Sequence, residues 1–330
     1  MKTPTFRRLL TVALLASYAA ASLYPFQWEP PRRAPNRAEL VPDRGVRFRE
    51  PGIARSKESP CWVAAAKQSH RLELSLRVRS FSTDQSGPAR IITLSLDPYL
   101  RNFTVGQESD DLVFRLRTPW TNFNGTLDDA EFVQVPDVFR SRAWVDLRIL
   151  VRPKQLRIMI GNRIRARKAL PREPLQDWDT SYRLALGNEL TYNRPWLGEI
   201  RHAVVRTKGM SVNYVNPSLV EVVPSGFWII PSAPNIVPFR DFDLRDAMLN
   251  LIAYVPFGLL LGTWYRQRTR LRSCYPVLIV FAVSLSMEAM QVFMARYPSV
   301  SDLIFNTAGG IIGLLLSRTA LANRWLEAKL

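Results

Sequence analysis

The chain has 330 residues, of which 47% are hydrophobic, so it is long enough for two or three domains and for at least one apolar core. Its formal net charge of +17 raises the question of nucleic-acid binding. The arginines do not form one basic stripe, however, and part of the positive excess flanks apolar stretches. We therefore expect no nucleic-acid partner.

An apolar run over residues 9–26 follows a short basic N-terminus. It predicts an N-terminal transmembrane anchor that comprises residues 1–26. A cleavable secretory signal is the alternative, because Ala19–Ala21 resembles a processing site. The anchor is favoured because the apolar run continues beyond those alanines. Both interpretations export the residues that follow.

Residues 27–59 contain many arginines and show little apolar periodicity. Five prolines are spread along the segment, and this composition predicts an extended, semi-rigid linker. These prolines are Pro30, Pro31, Pro35, Pro42 and Pro51.

Residues 60–207 contain short runs of alternating apolar and polar residues, such as Leu72–Val78, separated by turn-forming residues. A period of two with frequent turns predicts an antiparallel β-sandwich. The order of the segments resembles concanavalin A-like, laminin-G-like jelly rolls. The segments that carry this resemblance are Ala89–Leu94, Asn102–Gln107, Leu112–Arg117, Gln155–Gly161 and Leu186–Ile200.

Some sandwiches of this class hydrolyse polysaccharides, which requires two carboxylates that project from one strand face. A strand with the pattern Glu-x-Asp-x-x-Glu is absent from the sequence. The acidic residues occur in turn-like stretches, where we expect solvated carboxylates, with a calcium site as the alternative. These residues are Glu108, Asp110, Asp111, Asp128, Asp129 and Glu131.

Aromatic residues of the sandwich could stack on sugar rings, because a rigid aromatic plane buries much area at little entropic cost. Trp120, Trp178 and Tyr192 are the candidates for ligand contact, with core packing as the alternative for each. Trp144 and Trp196 lie in alternating strand contexts and are expected to point into the core. The sandwich is thus predicted to bind glycan, although the sequence does not identify the ligand.

Three further apolar stretches follow a second predicted linker over residues 208–238, and with the first run they predict a bundle of four transmembrane helices. Short loops rich in Lys and Arg stay in the cytoplasm, so the N-terminus, the 266–274 loop and the C-terminus are predicted to be cytoplasmic. Residues 27–238 are then extracytoplasmic, in a multi-pass protein of the cytoplasmic membrane. The three apolar stretches are 244–265, 275–294 and 303–316.

Motifs within residues 239–330 resemble the VanZ-like family, whose founding members are associated with resistance to teicoplanin. The resemblance implies a membrane protein of the bacterial envelope and no specific reaction. Ser299 stands where the family often has an aspartate, so a role for that acid is not transferred to this chain. The motifs are Asn235–Phe239, Asn250–Gly258, Ser284–Gln291, Arg296–Asp302 and Asn306–Gly313.

Polar side chains interrupt these apolar stretches at similar heights. At a rise of ~1.5 Å per residue, Asn250, Glu288 and Asn306 each lie ~8 to 9 Å below the outer end of their helix. Polar groups within a membrane span usually mark functional sites, so we expect a pocket in the outer half of the bundle that receives a membrane lipid or a lipid-linked glycan. The predicted pocket residues are Asn250, Glu288, Gln291, Arg296, Asp302 and Asn306.

Four roles of this pocket are left open by the sequence, of which transport is the least favoured. Its residues could form a polar network that only holds the helices together, or they could bind a ligand, with Arg296 contacting a phosphate or carboxylate. In an enzyme, which is less favoured, Glu288 would act as general base and Asp302 would orient it. No His lies in these stretches, and no metal or cofactor is expected there. Close helix packing is predicted by two pairs of glycines, Gly258 with Gly262 and Gly309 with Gly313.

Overall fold

The computed structural model describes residues 4–24, 26, 28, 31–41, 44–127, 132–229, 244–265, 274–294 and 298–319. The chain divides into two compact units. One unit is a β-sandwich formed by Arg32–Ile229, and the other contains the helices of Met1–Pro31 and Ile230–Leu330.

The sandwich consists of two large antiparallel sheets and one small one. In the larger sheet the strand order is β12-β11-β10-β5-β14-β3-β2, with β15 paired to β14. Its strands are β2 (Ala38–Val41), β3 (Gly45–Phe48), β5 (Leu72–Ser80), β10 (Val145–Arg152), β11 (Gln155–Ile160), β12 (Arg163–Ala169), β14 (Gly198–Thr207) and β15 (Met210–Asn213).

The second large sheet has the order β16-β4-β13-β6-β7-β8-β9. Its strands are β4 (Ala54–Ser56), β6 (Ala89–Ser95), β7 (Arg101–Glu108), β8 (Asp111–Leu116), β9 (Val133–Val135), β13 (Arg183–Leu186) and β16 (Val220–Val222). The small sheet pairs β1 (Arg32–Ala34) with β17 (Phe227–Ile229), and one helix, α2 (Trp62–Ser69), also belongs to this unit.

The core of the sandwich forms because alternate side chains along each strand face the opposite sheet. In β5, Leu74, Leu76 and Val78 are buried, whereas the side chains between them are partly or fully exposed. They belong to one apolar cluster that also contains Phe103 and Phe114 of the second sheet. The predicted antiparallel sandwich is confirmed, while its assignment as a concanavalin A-like jelly roll stays a prediction.

The sandwich is longer at both ends than the sequence indicated. The linker expected over residues 27–59 contains two strands of the large sheets. Strand β3 pairs with β14, and β4 pairs with β13. Val46 and Phe48 of β3 are buried in the main core. These strands have only three or four residues, too few to show a clear period among the arginines. The linker expected over 208–238 likewise contains three strands, β15, β16 and β17.

The described helices of the second unit are α1 (Pro4–Leu23), α3 (Leu244–Tyr265), α4 (Tyr275–Gln291) and α5 (Val300–Leu316). All four overlap the predicted apolar stretches. Among the described residues, only α3 is both long and apolar enough to cross a membrane, and the other three are shorter apolar helices.

The contacts between these helices define their relative directions. Residues 309 and 313 of α5 lie against residues 251 and 255 of α3, so these two helices run in the same direction. In contrast, Asn306 and Gly310 of α5 meet Ser284 and Val280 of α4, so α4 runs in the opposite direction. The C-terminal ends of α1 and α4 meet, because Gln291 Nε2 donates a hydrogen bond to Ser22 O.

Glycines allow α3 and α5 to approach at backbone distance. A Cβ atom added at Gly309 would lie 2.0 Å from Leu251 O, and one at Gly258 would lie 2.0 Å from Gly310 O. Such separations are far below van der Waals contact, so side chains are excluded from the crossing. The predicted close packing through Gly258, Gly262, Gly309 and Gly313 is confirmed at all four positions.

Candidate functional site

Helix α4 buries a polar face inside the helical unit. Ser284, Glu288 and Gln291 are spaced four and three residues apart, which places them on one side of the helix, and all three are buried. The rest of the helix surface exposes large apolar residues, among them Leu278, Phe281 and Leu285. This arrangement is the reverse of a helix on the surface of a soluble protein, whose apolar stripe faces inward.

Two amide groups at this polar face, one on α4 and one on α5, have acceptor atoms without a hydrogen-bond donor among the described residues. Asn306 Nδ2 donates a hydrogen bond of 3.0 Å to Ser284 Oγ, and Gln291 Nε2 donates one of 3.1 Å to Ser22 O. Within the described part of the chain, neither Asn306 Oδ1 nor Gln291 Oε1 has a hydrogen-bond partner, although both atoms are buried. An unsatisfied buried acceptor costs about 1–3 kcal/mol. Both atoms could accept a hydrogen bond from a bound hydroxyl or amide group.

Glu288 lies at the N-terminus of α5. Its Oε2 accepts a hydrogen bond of 2.8 Å from the backbone N–H of Ser299, which is the N-cap residue of α5. The Ser299 hydroxyl lies 2.6 Å from that of Ser301, and it also accepts a hydrogen bond from Asp302 N at 3.4 Å. Helix N-termini carry a partial positive charge, and Glu288 therefore lies where its carboxyl group can accept from a free backbone N–H of α5.

Two of the predicted pocket residues, Asn306 and Glu288, lie at different levels and not at one. Asn306 is level with Ser284, and Glu288 is one helical turn, about 6 Å, nearer the N-terminus of α5. The close packing of Gly310 on Val280 sets this register between α4 and α5. Asn250 and Asp302 are half-buried on α3 and α5. Arg296 lies outside the described residues.

The sequence analysis did not identify the serine hydroxyl groups as part of this site. Ser284 is fully buried and Ser301 is nearly so, and Ser299 caps α5. The spacing of four residues from Ser284 to Glu288 was a signal that could have identified Ser284, because such residues share a helix face.

Comparisons with known proteins bear directly on the helical unit. Residues 204–322 match the VanZ/LLP1 family model. A stretch of 97 residues is 33% identical to protein VanZ of Enterococcus faecium. The C-terminal part of this chain is VanZ-like. The aligned stretch is 29% of this chain and 57% of protein VanZ, so the chain spans a little more than half the length of that relative.

The VanZ-like part contains the polar side chains of the site described above, whereas Ser22, which accepts from Gln291, belongs to α1. The family match is consistent with a membrane protein, as are the apolar exposed side chains of α4. Neither the number of spans nor their orientation follows from the match.

The sandwich places the three candidate aromatic residues differently from one another. Trp178 is 1% exposed, packs against Phe103 in the core and donates from Nε1 to Arg117 O at 3.0 Å. Tyr192 is also buried, and its hydroxyl donates to Pro51 O at 2.6 Å. Both side chains are therefore packed inside the sandwich and cannot stack on a sugar ring. The prediction that Trp178 and Tyr192 contact a ligand is corrected accordingly. Trp120 is 55% exposed and keeps that candidacy.

The two tryptophans expected in the core also differ. Trp196 is fully buried, as expected. Trp144 is only half-buried, and the guanidinium carbons of Arg201 and Arg79 lie 4.4 and 5.0 Å from its ring centroid. The indole ring supports these cations through cation–π contact. Trp144 therefore lies among the charged residues at the surface.

The acidic turns are engaged in local hydrogen bonds where the structure describes them. Glu108 Oε2 accepts from Gly87 N at 2.8 Å, and Asp111 accepts from Asp137 N at 3.0 Å. No group of three or more His, Cys, Asp or Glu residues suited to a metal ion occurs among the described residues. Asp128, Asp129 and Glu131 of the second acidic turn lie outside them.

The sandwich buries a charged cluster in its second sheet. Arg90 Nε lies 3.2 Å from Glu189 Oε2, and Ser95 donates to the other carboxylate oxygen. Arg101 is fully buried, and within the described residues its Nε and Nη2 have no hydrogen-bond partner. Burial lowers the pKa of Arg90 to about 10, and burial followed by the charge of Arg90 lowers the pKa of Arg101. Glu189 is thus the close counter-ion of this cluster.

Solved structures with some similarity to the sandwich are of several kinds. The CBM40 domain of the Ruminococcus gnavus IT-sialidase is 13% identical, with a TM-score of 0.39, over 51% of this chain and 91% of that chain. The alginate lyase from Corynebacterium is 8% identical, with a TM-score of 0.31, over 51% of this chain and 80% of that chain. These scores are too low to indicate what the sandwich binds.

Proposed function

We propose that this chain is a multi-pass protein of the cytoplasmic membrane whose VanZ-like helices bind the polar group of a lipid-linked glycan. The observation that carries the proposal is the polar face of α4, which is buried among helices whose exposed side chains are apolar. A membrane span has this pattern, because lipid favours apolar side chains outside and polar groups gather within the bundle.

The four described helices are proposed to span the membrane with the N-terminus in the cytoplasm. Their directions support this arrangement, because α1 and α4 run one way and α3 and α5 run the other. The loops rich in Lys and Arg would then be cytoplasmic. The sandwich would be extracytoplasmic.

The proposed ligand enters the site from the outer leaflet. Gln291 Oε1 and Asn306 Oδ1 would accept hydrogen bonds from sugar hydroxyl or amide groups, because both atoms lack a donor among the described residues. Arg296 would bind the phosphate of the lipid carrier through its planar guanidinium group. Asn250, Glu288 and Asp302 would complete the site. In the sandwich, exposed Trp120 is the proposed sugar-stacking residue.

The test uses the purified full-length protein in nanodiscs and a polyprenyl diphosphate that carries a disaccharide. Gln291→Leu should weaken binding about fivefold, since a net hydrogen bond contributes about 1 kcal/mol. Ser286→Ala is the matched control, because Ser286 lies on the exposed side of α4 and bonds only to its own helix at Ala282 O. Unchanged binding by Gln291→Leu and Asn306→Leu, with normal yields of folded protein, would refute ligand binding at this site.

A membrane-embedded enzyme is the second candidate. The observation in its favour is that Glu288 accepts from the backbone N–H of Ser299, whose hydroxyl lies 2.6 Å from that of Ser301. Glu288 would act as general base, with Asp302 as an orienting group. Glu288→Gln preserves shape but removes the proton acceptor, so it should abolish turnover of the same lipid while binding persists. A purely structural network predicts instead that Glu288→Gln reduces the yield of folded protein and leaves ligand affinity unchanged.

A further inference from the structure

The larger sheet of the sandwich has a cleft where β5 begins and β10 and β14 end. Its volume is about 560 Å³. We call it the basic cleft, and define it by Arg71, Glu73, Arg152, Arg206 and Lys208, which line it. All four cationic side chains belong to exposed residues. None of these residues was singled out by the sequence, because each is one of many dispersed basic residues.

The single carboxylate of the basic cleft, Glu73, already pairs with two arginines. Glu73 Oε1 accepts a hydrogen bond of 3.1 Å from Arg206 Nη1 and lies 3.7 Å from Arg148 Nε. Arg71, Arg152 and Lys208 have no carboxylate within 4.0 Å among the residues that the structure describes. Three cations of the cleft therefore face solvent without a counter-ion from the described residues of the sandwich.

Strand pairing spreads these charges across the sheet. Leu72 of β5 pairs with Val151 of β10, and Glu73 of β5 pairs with Arg206 of β14, so the three strands are adjacent at this end. Neighbouring strands are ~4.8 Å apart, so the cations extend over ~10 Å. One small anion would reach only some of them, whereas a chain with repeated anionic groups could contact them all.

We propose that the basic cleft binds an anionic glycan, a polysaccharide that carries carboxylate or phosphate groups along its chain. Arginine forms paired hydrogen bonds with either group, and three arginines are present. The concave shape suits a polymer chain better than the flat surface of a bilayer. This inference rests on the proposed glycan binding by an extracytoplasmic sandwich, and it names the ligand class and a second site for it.

The experiment measures binding of the full-length protein in nanodiscs to polygalacturonate, to a glycerol-phosphate polymer and to uncharged dextran. The test variant is Arg71→Gln/Arg152→Gln/Lys208→Gln, which leaves the Glu73–Arg206 pair intact. The matched control is Arg163→Gln/Arg167→Gln/Arg172→Gln, which removes the same charge from exposed residues elsewhere on the sandwich. Circular dichroism verifies that both variants are folded.

The expected result is binding of at least one anionic polymer that the test variant weakens about tenfold or more and the control variant less than about threefold. Binding should also weaken as the salt concentration rises. The carboxylate and phosphate polymers identify which anion the cleft prefers.

Four outcomes would overturn the inference. Equal losses in the two variants would show that overall charge, and no local site, attracts the polymer. Binding of dextran but of neither anionic polymer would reject the anionic class while leaving glycan binding by the sandwich intact. Phosphatidylglycerol vesicles that bind through the cleft when the polymers do not would identify a lipid surface as the partner. Failure to bind any glycan, dextran included, would count against the proposed glycan binding as well.

Discussion

The sandwich and the VanZ-like helices bury opposite kinds of side chain. Strand β5 hides Leu74 and Leu76 and turns its charged residues outward, whereas α4 hides Ser284 and Glu288 and turns Leu285 outward. The first pattern is stable in water because burial removes apolar surface from it. The second is typical of helices whose surroundings are themselves apolar, as in lipid. The two units thus bury side chains of opposite polarity.

Both units also bury ionisable side chains. In the sandwich, Arg90 and Arg101 are buried with Glu189 as the close counter-ion. In the helical unit, Glu288 is buried at the N-terminus of α5. The comparison can be tested by removing one interaction at a time from each unit.

The largest loss of folding stability is expected for Glu189→Ala in the sandwich. The change leaves two buried arginines without their carboxylate, and uncompensated buried charges cost about 3–5 kcal/mol. Thermal unfolding followed by tryptophan fluorescence should shift by about 10 °C. Glu58→Ala, at an exposed position, is the control. Similar melting temperatures for the two variants would contradict the assigned role of Glu189.

The second-largest loss of folding stability is expected for Gly309→Ala in the helical unit. Its Cβ would lie 2.0 Å from Leu251 O, and the backbone of α3 has to move to accommodate it. Overpacking of this kind costs about 1–3 kcal/mol. The yield and melting temperature of the detergent-solubilised protein should fall. Ala282→Val adds side-chain atoms on the exposed face of α4 and should leave both unchanged.

A smaller effect is expected for Ser284→Ala, which removes the hydrogen-bond partner of Asn306 Nδ2. The loss should be about 1 kcal/mol. Ser286→Ala, two residues away on the exposed side, should change stability less. Stability is measured as the melting temperature in detergent. If both substitutions lower it equally, the buried polar face of α4 stabilises the fold no more than the exposed side does.

The smallest effect concerns the acid stability of the sandwich. Burial raises the pKa of Glu199, but hydrogen bonds from Arg47 and Arg79, each 2.5 Å long, outweigh it and hold the pKa below its ordinary value. The stabilisation is therefore present above the unfolded-state pKa of ~4.3 and is lost as the pH falls through the folded-state pKa.

The contribution of Glu199 should be below about 1 kcal/mol, because both arginines are partly exposed. Unfolding titrations in urea between pH 7 and pH 3 should show a shallower loss of stability for Glu199→Gln than for the unchanged protein. Parallel pH profiles would mean that the two arginines do not stabilise the charged carboxylate.

Long periodic segments could be read from the sequence. The stretch 244–265 coincides with α3, and the alternating run Leu72–Val78 lies within β5. Strands β3 and β4 could not be recognised, because a segment of three or four residues has too few positions to display a period. They become strands through pairing with β14 and β13, residues far away in sequence.

Individual side chains of the candidate sites were predicted less well than the elements that hold them. Glu288 and Gln291 share a face of α4 because helix geometry requires it, and this could be deduced from their spacing. The aromatic residues offer no such rule. Trp178 and Trp120 both belong to turn-rich stretches, yet one is 1% exposed and the other 55%. Only the packing of distant strands decides which ring is covered.

The order of charged and apolar residues by itself determined that the chain has an antiparallel sandwich and a set of apolar helices, because periodicity and composition are local properties. The tertiary structure alone decided the register of α4 on α5, which separates Glu288 from Asn306 by one turn. Two amide oxygens there have no donor among the residues that the structure describes. The tertiary structure also brought Arg71, Arg152 and Lys208 together at one end of a sheet. Such groupings depend on contacts between residues far apart in sequence, and no local pattern encodes them.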